Sequence, residues 1–338
     1  MAGTLTRWAK LELSYRGVDL GGACVQVEFV DHADGALDEL CVTLEDREHR
    51  WQGPWLPRKS DRLAAAIVCR NWFEPGDAWR LDLGSFEISE LQLSGPPDMV
   101  SIRALSARVS HAARTQRKTK AHENKDLFTI ASEVAAGAGL ALRWEGANPF
   151  YERVDQREEG DLPFLARLCR DAGNGLKVAG EKLIVYEGRR WDQRGPHATL
   201  KRGEAWIKGY RFTSGTHDQY CGCVVSYWHP QLKELIVGSY FPDDAPETGE
   251  VLRLNQPVRD EAEAGALAQA ALRNKNRWEV QAEITLVGDP RRRATDVVVL
   301  EGFGRFDGRY FLDEVRHILD GQGGFETHLT GMRKVLGY

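Results

Sequence analysis

Short runs in which apolar and polar residues alternate with a period of two occupy both ends of this 338-residue chain, and they constrain its fold more than any other feature. Such a period puts the apolar side chains on one face of a strand, so each run needs a facing or curled sheet to bury it. In the N-terminal part, residues 11–15, 24–30, 41–44, 64–72, 79–83, 86–91 and 99–105 read as strands. Gly84-Ser85 and residues 94–98 punctuate them as turns, and residues 51–55 form a turn-rich connector. Many short strands at this spacing predict a sandwich or a barrel. From about Gly195 strands return, at 206–213, 220–228, 234–241, 251–255, 280–286, 296–300, 310–319 and 326–330. One helix, 260–277, interrupts them, with acids at its start and bases at its end to match the helix dipole.

The two β regions end alike. Residues 86–91 (FEISEL) line up with 310–315 (YFLDEV), each between glycine-containing turns. That alignment predicts two similar barrels flanking an insert.

The insert has its own pattern. Residues 108–125 hold six Lys or Arg against one Glu and read as an exposed basic connector. A helix follows, capped by Asp126 and carrying Leu127, Ile130, Ala131, Val134 and Ala135 on one face until Gly137 and Gly139. A second helix starts near Asp161, with Pro163 in its first turn and Leu162, Leu165, Leu168 and Cys169 on its apolar side. Residues 176–178 and 182–186 form a small strand pair. The whole is mainly β with an α+β insert.

Composition narrows function. The net charge is −5, which does not advertise nucleic-acid binding. No apolar run approaches the ~20 residues of a membrane helix, and residues 1–10 lack a secretory pattern, so synthesis in the cytoplasm and no membrane partner in isolation are expected. Six scattered cysteines are then read as free thiols. Ten tryptophans fit a β-rich, contact-making protein; Trp51 and Trp55, in a Gly-Pro loop, are candidate partner contacts, with core packing as the alternative.

Several segments resemble one family in order along the chain. Residues 84–98 (GSFEISELQLSGPPD) resemble the end of the first barrel of the phage late control protein D family. Lys118-Thr-Lys120 and the helix after it resemble that family's basic connector and first helix. Residues 156–168 (QREEGDLPFLARL) resemble its most distinctive stretch, with Gln156, Asp161, Phe164, Leu165, Arg167 and Leu168 as the signature positions. Residues 296–330 resemble its closing strands. Gly160 departs from the family's small polar residue before Asp161, which weakens a helix cap.

The resemblance implies a hub of contractile tail baseplates, similar to the N-terminal part of type VI secretion VgrG spike proteins. It implies tube-like β-barrels at 1–107 and 195–338 around a middle region at 108–194, and a homotrimer whose six barrels make a pseudo-sixfold ring. Three copies of a duplicated domain can satisfy a sixfold tube and a threefold spike together. Implied partners are a separate tail spike protein, the tail tube protein, other baseplate components and the tape-measure protein. The implied location is the virion tail baseplate, assembled in the host cytoplasm.

Candidate chemistry is sparse. Cys221, Cys223, His217 and His229 do not follow paired zinc-ligand spacing, and strand packing explains them better. His122-Glu123 lacks the second histidine of a zinc-protease helix, with Asp126 in its place. Glu158, Glu159 and Asp161 precede a helix, where acids favour the dipole over glycoside cleavage. No catalytic, cofactor or metal residue is assigned. Lys118 and Lys120 are candidate contacts to an acidic neighbour, and Arg291-Arg-Arg293 reads as an exposed turn. The rival functions are a tail-associated cell-wall-degrading enzyme and a carbohydrate or cell-surface-binding module.

Overall fold

The computed structural model describes residues 6–58, 60–106, 116–215, 219–246, 249–322 and 324–338. In β1 (Trp8–Tyr15) the alternation is direct: Ala9, Leu11, Leu13 and Tyr15 are buried and the residues between them face out. It is followed by β2 (Val18–Asp19), β3 (Cys24–His32), β4 (Glu39–Glu45), β5 (Arg62–Arg70), β6 (Ala78–Ser94) and β7 (Met99–Ser106). These pair in the antiparallel order β3-β4-β7-β6-β5-β1-β2 around a core that buries Leu40, Leu63, Ile67, Leu81, Phe86 and Val100.

β6 differs from expectation. Gly84-Ser85 is not a turn between two strands; β6 is one strand of 17 residues. Gly84 has φ +111°, and the β5–β6 ladder shifts register beside it, at Ala65/Ala66. A residue at positive φ in a strand bends it and increases its twist without ending the ladder. The glycine therefore curls the sheet.

The insert contains β8 (Lys118–Asp126), α1 (Leu127–Ala138), β9 (Ala141–Glu145), β10 (Phe150–Glu159), α2 (Asp161–Asp171), β11 (Asn174–Ala179), β12 (Lys182–Glu187) and α3 (Gly188–Asp192). Asp126 caps α1 as expected, accepting from the Thr129 backbone N–H at 2.8 Å. Leu127, Ile130, Phe164, Leu165, Leu168 and Leu183 share one buried cluster. The expectation of a basic connector is corrected over 118–125. That stretch is β8, paired antiparallel with β10; His122 is buried, and the lysines meet carboxylates of α1 and α2, Lys118 with Asp161 and Lys120 and Lys125 with Glu133. Residues 108–115 lie outside the described residues.

The C-terminal part has β13 (Ala198–Lys201), β14 (Ile207–Ser214), β15 (Gly222–His229), β16 (Glu234–Tyr240), β17 (Val251–Leu254), α4 (Glu261–Asn276), β18 (Val280–Val287), β19 (Val297–Glu301), β20 (Gly308–Leu312), β21 (Glu314–Asp320) and β22 (Phe325–Lys334). Three strands expected in the second barrel, β15, β16 and β17, instead form their own sheet. Its inner face carries Cys223, Val225 and Ile236 against Ala264, Ala268 and Leu272 of α4. Gly238 permits that approach, since a Cβ there would lie 2.4 Å from the backbone at Ala264. The remaining strands order as β14-β18-β22-β21, with β20, β19 and β13 continuing from β22.

The two barrels repeat one pattern. In the first, Val27, Val42, Ile102 and Leu91 stand opposite one another across β3, β4, β7 and β6. In the second, Tyr210, Ile284, Leu329 and Val315 do so across β14, β18, β22 and β21. Leu91 and Val315 close the two motifs aligned in the sequence. The sixth strands differ, because β1 runs antiparallel to β5 whereas β13 runs parallel to β19.

The barrels are also joined to each other. β21 pairs antiparallel with β3 from Glu314–His32 to Asp320–Gln26, so one sheet runs through both. The Trp72 indole N–H reaches across to the Gly288 carbonyl at 2.5 Å. Ala33, Tyr186, Trp191, Ala294 and Phe311 pack where both barrels meet the insert.

Candidate functional site

The signature residues of 156–168 converge on one knot. Gln156 is buried and donates to the Glu159 carbonyl at 2.9 Å and to the Asp161 carboxylate at 3.0 Å. Lys118, from β8, meets the other Asp161 oxygen at 2.5 Å. Burial alone would raise the Asp161 carboxyl, but Lys118 and Gln156 outweigh it and hold it below the usual range. Phe164, Leu165 and Leu168 are core residues. Arg167 bonds Glu159 at 2.5 Å and lies over the Phe164 ring at 5.4 Å. The cluster thus fastens β8, β10 and α2 together. Gly160 is the residue before α2 and offers no side-chain cap, so Asp161 in the first turn supplies the negative charge.

Lys118 and Lys120 are therefore engaged within the chain. Lys120 faces Glu133 of α1 at 3.4 Å, and Lys125 binds the same carboxylate. Two of the three carboxylates considered for glycoside chemistry are likewise taken, Glu159 by Arg167 and Asp161 by Lys118. His122 lies on a strand, buried and stacked on Phe164 at 5.0 Å. Cys223 is buried against α4, the Cys221 thiol lies 3.2 Å from the Glu250 carbonyl, and all six cysteines are free. His217 lies outside the described residues.

Trp51 takes the core reading. It is 2% exposed and stacks on Tyr15 at 5.1 Å, so its indole faces the barrel interior. Trp55 is half-buried and meets Trp51 edge-on at 5.6 Å, with Arg50 over its outer face. The expected exposed turn at Arg291-Arg-Arg293 is corrected at its centre, because Arg292 is buried beside Asp289 at 3.2 Å.

Two ionic clusters hold the three parts of the chain together. Asp31 of β3 receives Lys177 of β11 at 2.6 Å and the Ala294 backbone N–H at 2.9 Å. Asp38 lies beside it, its carboxyl pushed up to about 7 by burial and by Asp31. Nearby His317 is fully buried, and burial with Arg293 close by pushes its pKa down to about 4. The neutral ring donates from Nε2 to the Arg292 carbonyl and accepts at Nδ1 from Thr327, both at 3.1 Å. In the second cluster Asp192 of α3 accepts from Arg333 of β22 at 3.0 and 2.8 Å and from Arg273 of α4 at 2.9 Å.

Outer surfaces remain uncovered. The far edge of β14, and that of β6 beyond Ile88, have no strand partner among the described residues. The sheet of β15 and β16 presents Trp228 opposite Leu235, 58% and 59% exposed.

No protein-family model matches the chain. Among curated proteins it is 25% identical over 212 residues to a "Probable baseplate hub protein" of Escherichia phage 186, covering 61% of this chain and 51% of the relative. It is 24% identical over 242 residues to the protein of the same name from Escherichia phage P2, covering 67% and 57%. The chain is similar to phage baseplate hub proteins. It spans about half the length of these curated relatives. In fold it is similar to a tail protein of Neisseria meningitidis, with TM-score 0.68, 14% identity, and 97% and 96% of the two chains covered. It is also similar to an Escherichia coli component of the type VI secretion system, with TM-score 0.61, 12% identity, and 96% and 77% covered.

The contacts between the three parts of the chain are where the sequence is least legible. Asp31, Asp192 and Arg333 carry no local motif. The partners that tie Asp31 to Ala294 and Asp192 to Arg273 and Arg333 lie 81 to 263 residues away, so no spacing could have flagged them.

Proposed function

We propose that this chain is a structural hub of a contractile phage tail or a related injection machine. Three copies form a ring of six barrels that joins a sixfold tail tube to a threefold spike. The observation that carries this reading is the repeated row of four residues across four antiparallel strands, present once in each barrel. A chain holding two such modules turns threefold assembly into six near-equivalent surfaces, and head-to-tail contacts of this kind can close into rings. The similarity to hub proteins of phages 186 and P2 supports the same reading.

The work proposed is mechanical: to seat the tube, hold the spike and pass on contraction. The partners would be the spike, the tube, neighbouring baseplate proteins and the tape-measure protein, in a virion tail assembled in the host cytoplasm. Trp55, Lys118 and Lys120 stay proposed contacts only where rearrangement frees them. Light scattering on the purified full chain, with negative-stain images, tests the proposal. A threefold ring with six lobes is expected, and a particle without threefold symmetry in the presence of spike and tube proteins would overturn it.

A further inference from the structure

We infer that copies of this chain join through a strand ladder between the far edge of β14 in one copy and the far edge of β6, residues 89–94, in the next. The inference rests on the trimeric reading and adds the surfaces that close it.

The argument starts from the one barrel-to-barrel contact already inside the chain. There β3 of the first barrel pairs with β21 of the second. The matching rows identify the counterpart of each strand. Tyr210 of β14 occupies the place of Val27 of β3, and Leu91 of β6 occupies the place of Val315 of β21. A second junction built like the first would therefore bring β14 against the end of β6. Both are unpaired on the required side among the described residues. β6 is occupied only up to Ile88, whose backbone N–H bonds the Asp61 carbonyl at 2.9 Å. Other edges, such as those of β13 and β2, have no counterpart in the internal junction.

Exposure supports the match. At the internal junction Val27 and His317 are 0% exposed and Phe29 is 3%. Their counterparts are Tyr210, which is 47% exposed, Leu93, which is 40% exposed, and half-buried Phe212. Large apolar side chains thus stand open where the equivalent positions are covered. Beside the β6 edge runs a groove of about 930 Å³ whose walls include Leu37, Leu56, Ile88, Leu91 and Leu105. A strand of the next copy laid on that edge would pair its free N–H and C=O groups and roof part of the groove. Each copy offers one β14 edge and one β6 edge, so three copies leave neither free.

The internal register can be carried over. His317 stands opposite Phe29, which places Leu93 opposite Phe212, and Gln92 opposite Thr213, in the new ladder. A slip of one residue would turn every side chain to the wrong face.

Disulfide trapping in the full chain tests this. Under mild oxidation the double variant Gln92→Cys/Thr213→Cys is expected to give reducible dimers and trimers, with trimer as the final product. Each single variant, and the off-register pair Leu93→Cys/Thr213→Cys, should stay at wild-type background. Independently, Leu93→Lys should shift the solution mass from trimer toward monomer with unchanged circular dichroism. A wild-type trimer that shows no trapping and survives Leu93→Lys would overturn the seam while leaving the trimer intact. A wild-type chain that stays monomeric at every concentration, with no trapping, would overturn both.

Discussion

Replacing Asp192 by alanine removes the acceptor shared by two buried guanidinium groups. The Asp192 side chain is 2% exposed, that of Arg333 6%, and that of Arg273 14%. Once the carboxylate is gone, both cations keep their charge, because a guanidinium does not deprotonate in proteins. Asp313 remains close, 2.8 Å from Arg333 Nε, and burial pushes its carboxyl up to about 6. Removing one partner of a buried ion pair costs ~3–5 kcal/mol. Unfolding entropy of ~2.1 cal/mol/K per residue over 338 residues gives about 0.7 kcal/mol/K, so Tm should fall by about 4–7 °C. The opposite truncation, Arg333→Met, should cost less. Asp192 then keeps Arg273, and Asp313 can take up a proton. Differential scanning calorimetry at pH 7 measures both. A drop below about 1 °C for Asp192→Ala, or a larger drop for Arg333→Met, would refute the reasoning that the fixed positive charges dominate this junction.

Three further outcomes are expected. The Asp38 carboxyl is raised from 3.8 to about 7, so the stability it contributes is present below pH ~4 and is lost as pH rises through 7. Asp38→Asn should therefore raise the urea midpoint at pH 8, change it little at pH 4, and flatten the slope between. Trp51→Ala should cost ~3–5 kcal/mol in urea titration as a core truncation, and Trp55→Ala clearly less. Lys118→Glu sets an acid against Asp161 and should speed amide hydrogen exchange across α2, whereas Lys120→Glu, on a half-exposed side chain, should change stability by less than about 0.5 kcal/mol.

What could be read from the sequence followed from local patterning. The period-two runs located β1, β3, β4 and β7, and the alignment of 86–91 with 310–315 proved to mark equivalent strands. Asp126 was legible as a cap, since capping depends on residues within one turn. Gly84 misled because a glycine that bends a strand and one that ends it look alike without the neighbouring ladder. β8 was hidden by its lysines: its partner strand β10 lies beyond a helix, and the carboxylates that match the lysines, Glu133 and Asp161, sit on α1 and α2. The separate sheet of β15, β16 and β17 was hidden for a similar reason, since its strands alternate like barrel strands and only α4 claims their inner face.

The ladder between β3 and β21 also sets a timetable. Glu28 and Arg316, which bridge it at 3.0 Å, are 288 residues apart. At ~5–20 residues per second, about 15–60 s of translation separate the two strands. Through that interval the nascent first barrel leaves the ribosome with one side unfinished. Conditions that slow elongation late in the message should therefore yield more aggregate, and a chaperone that shields β3 should raise the soluble yield.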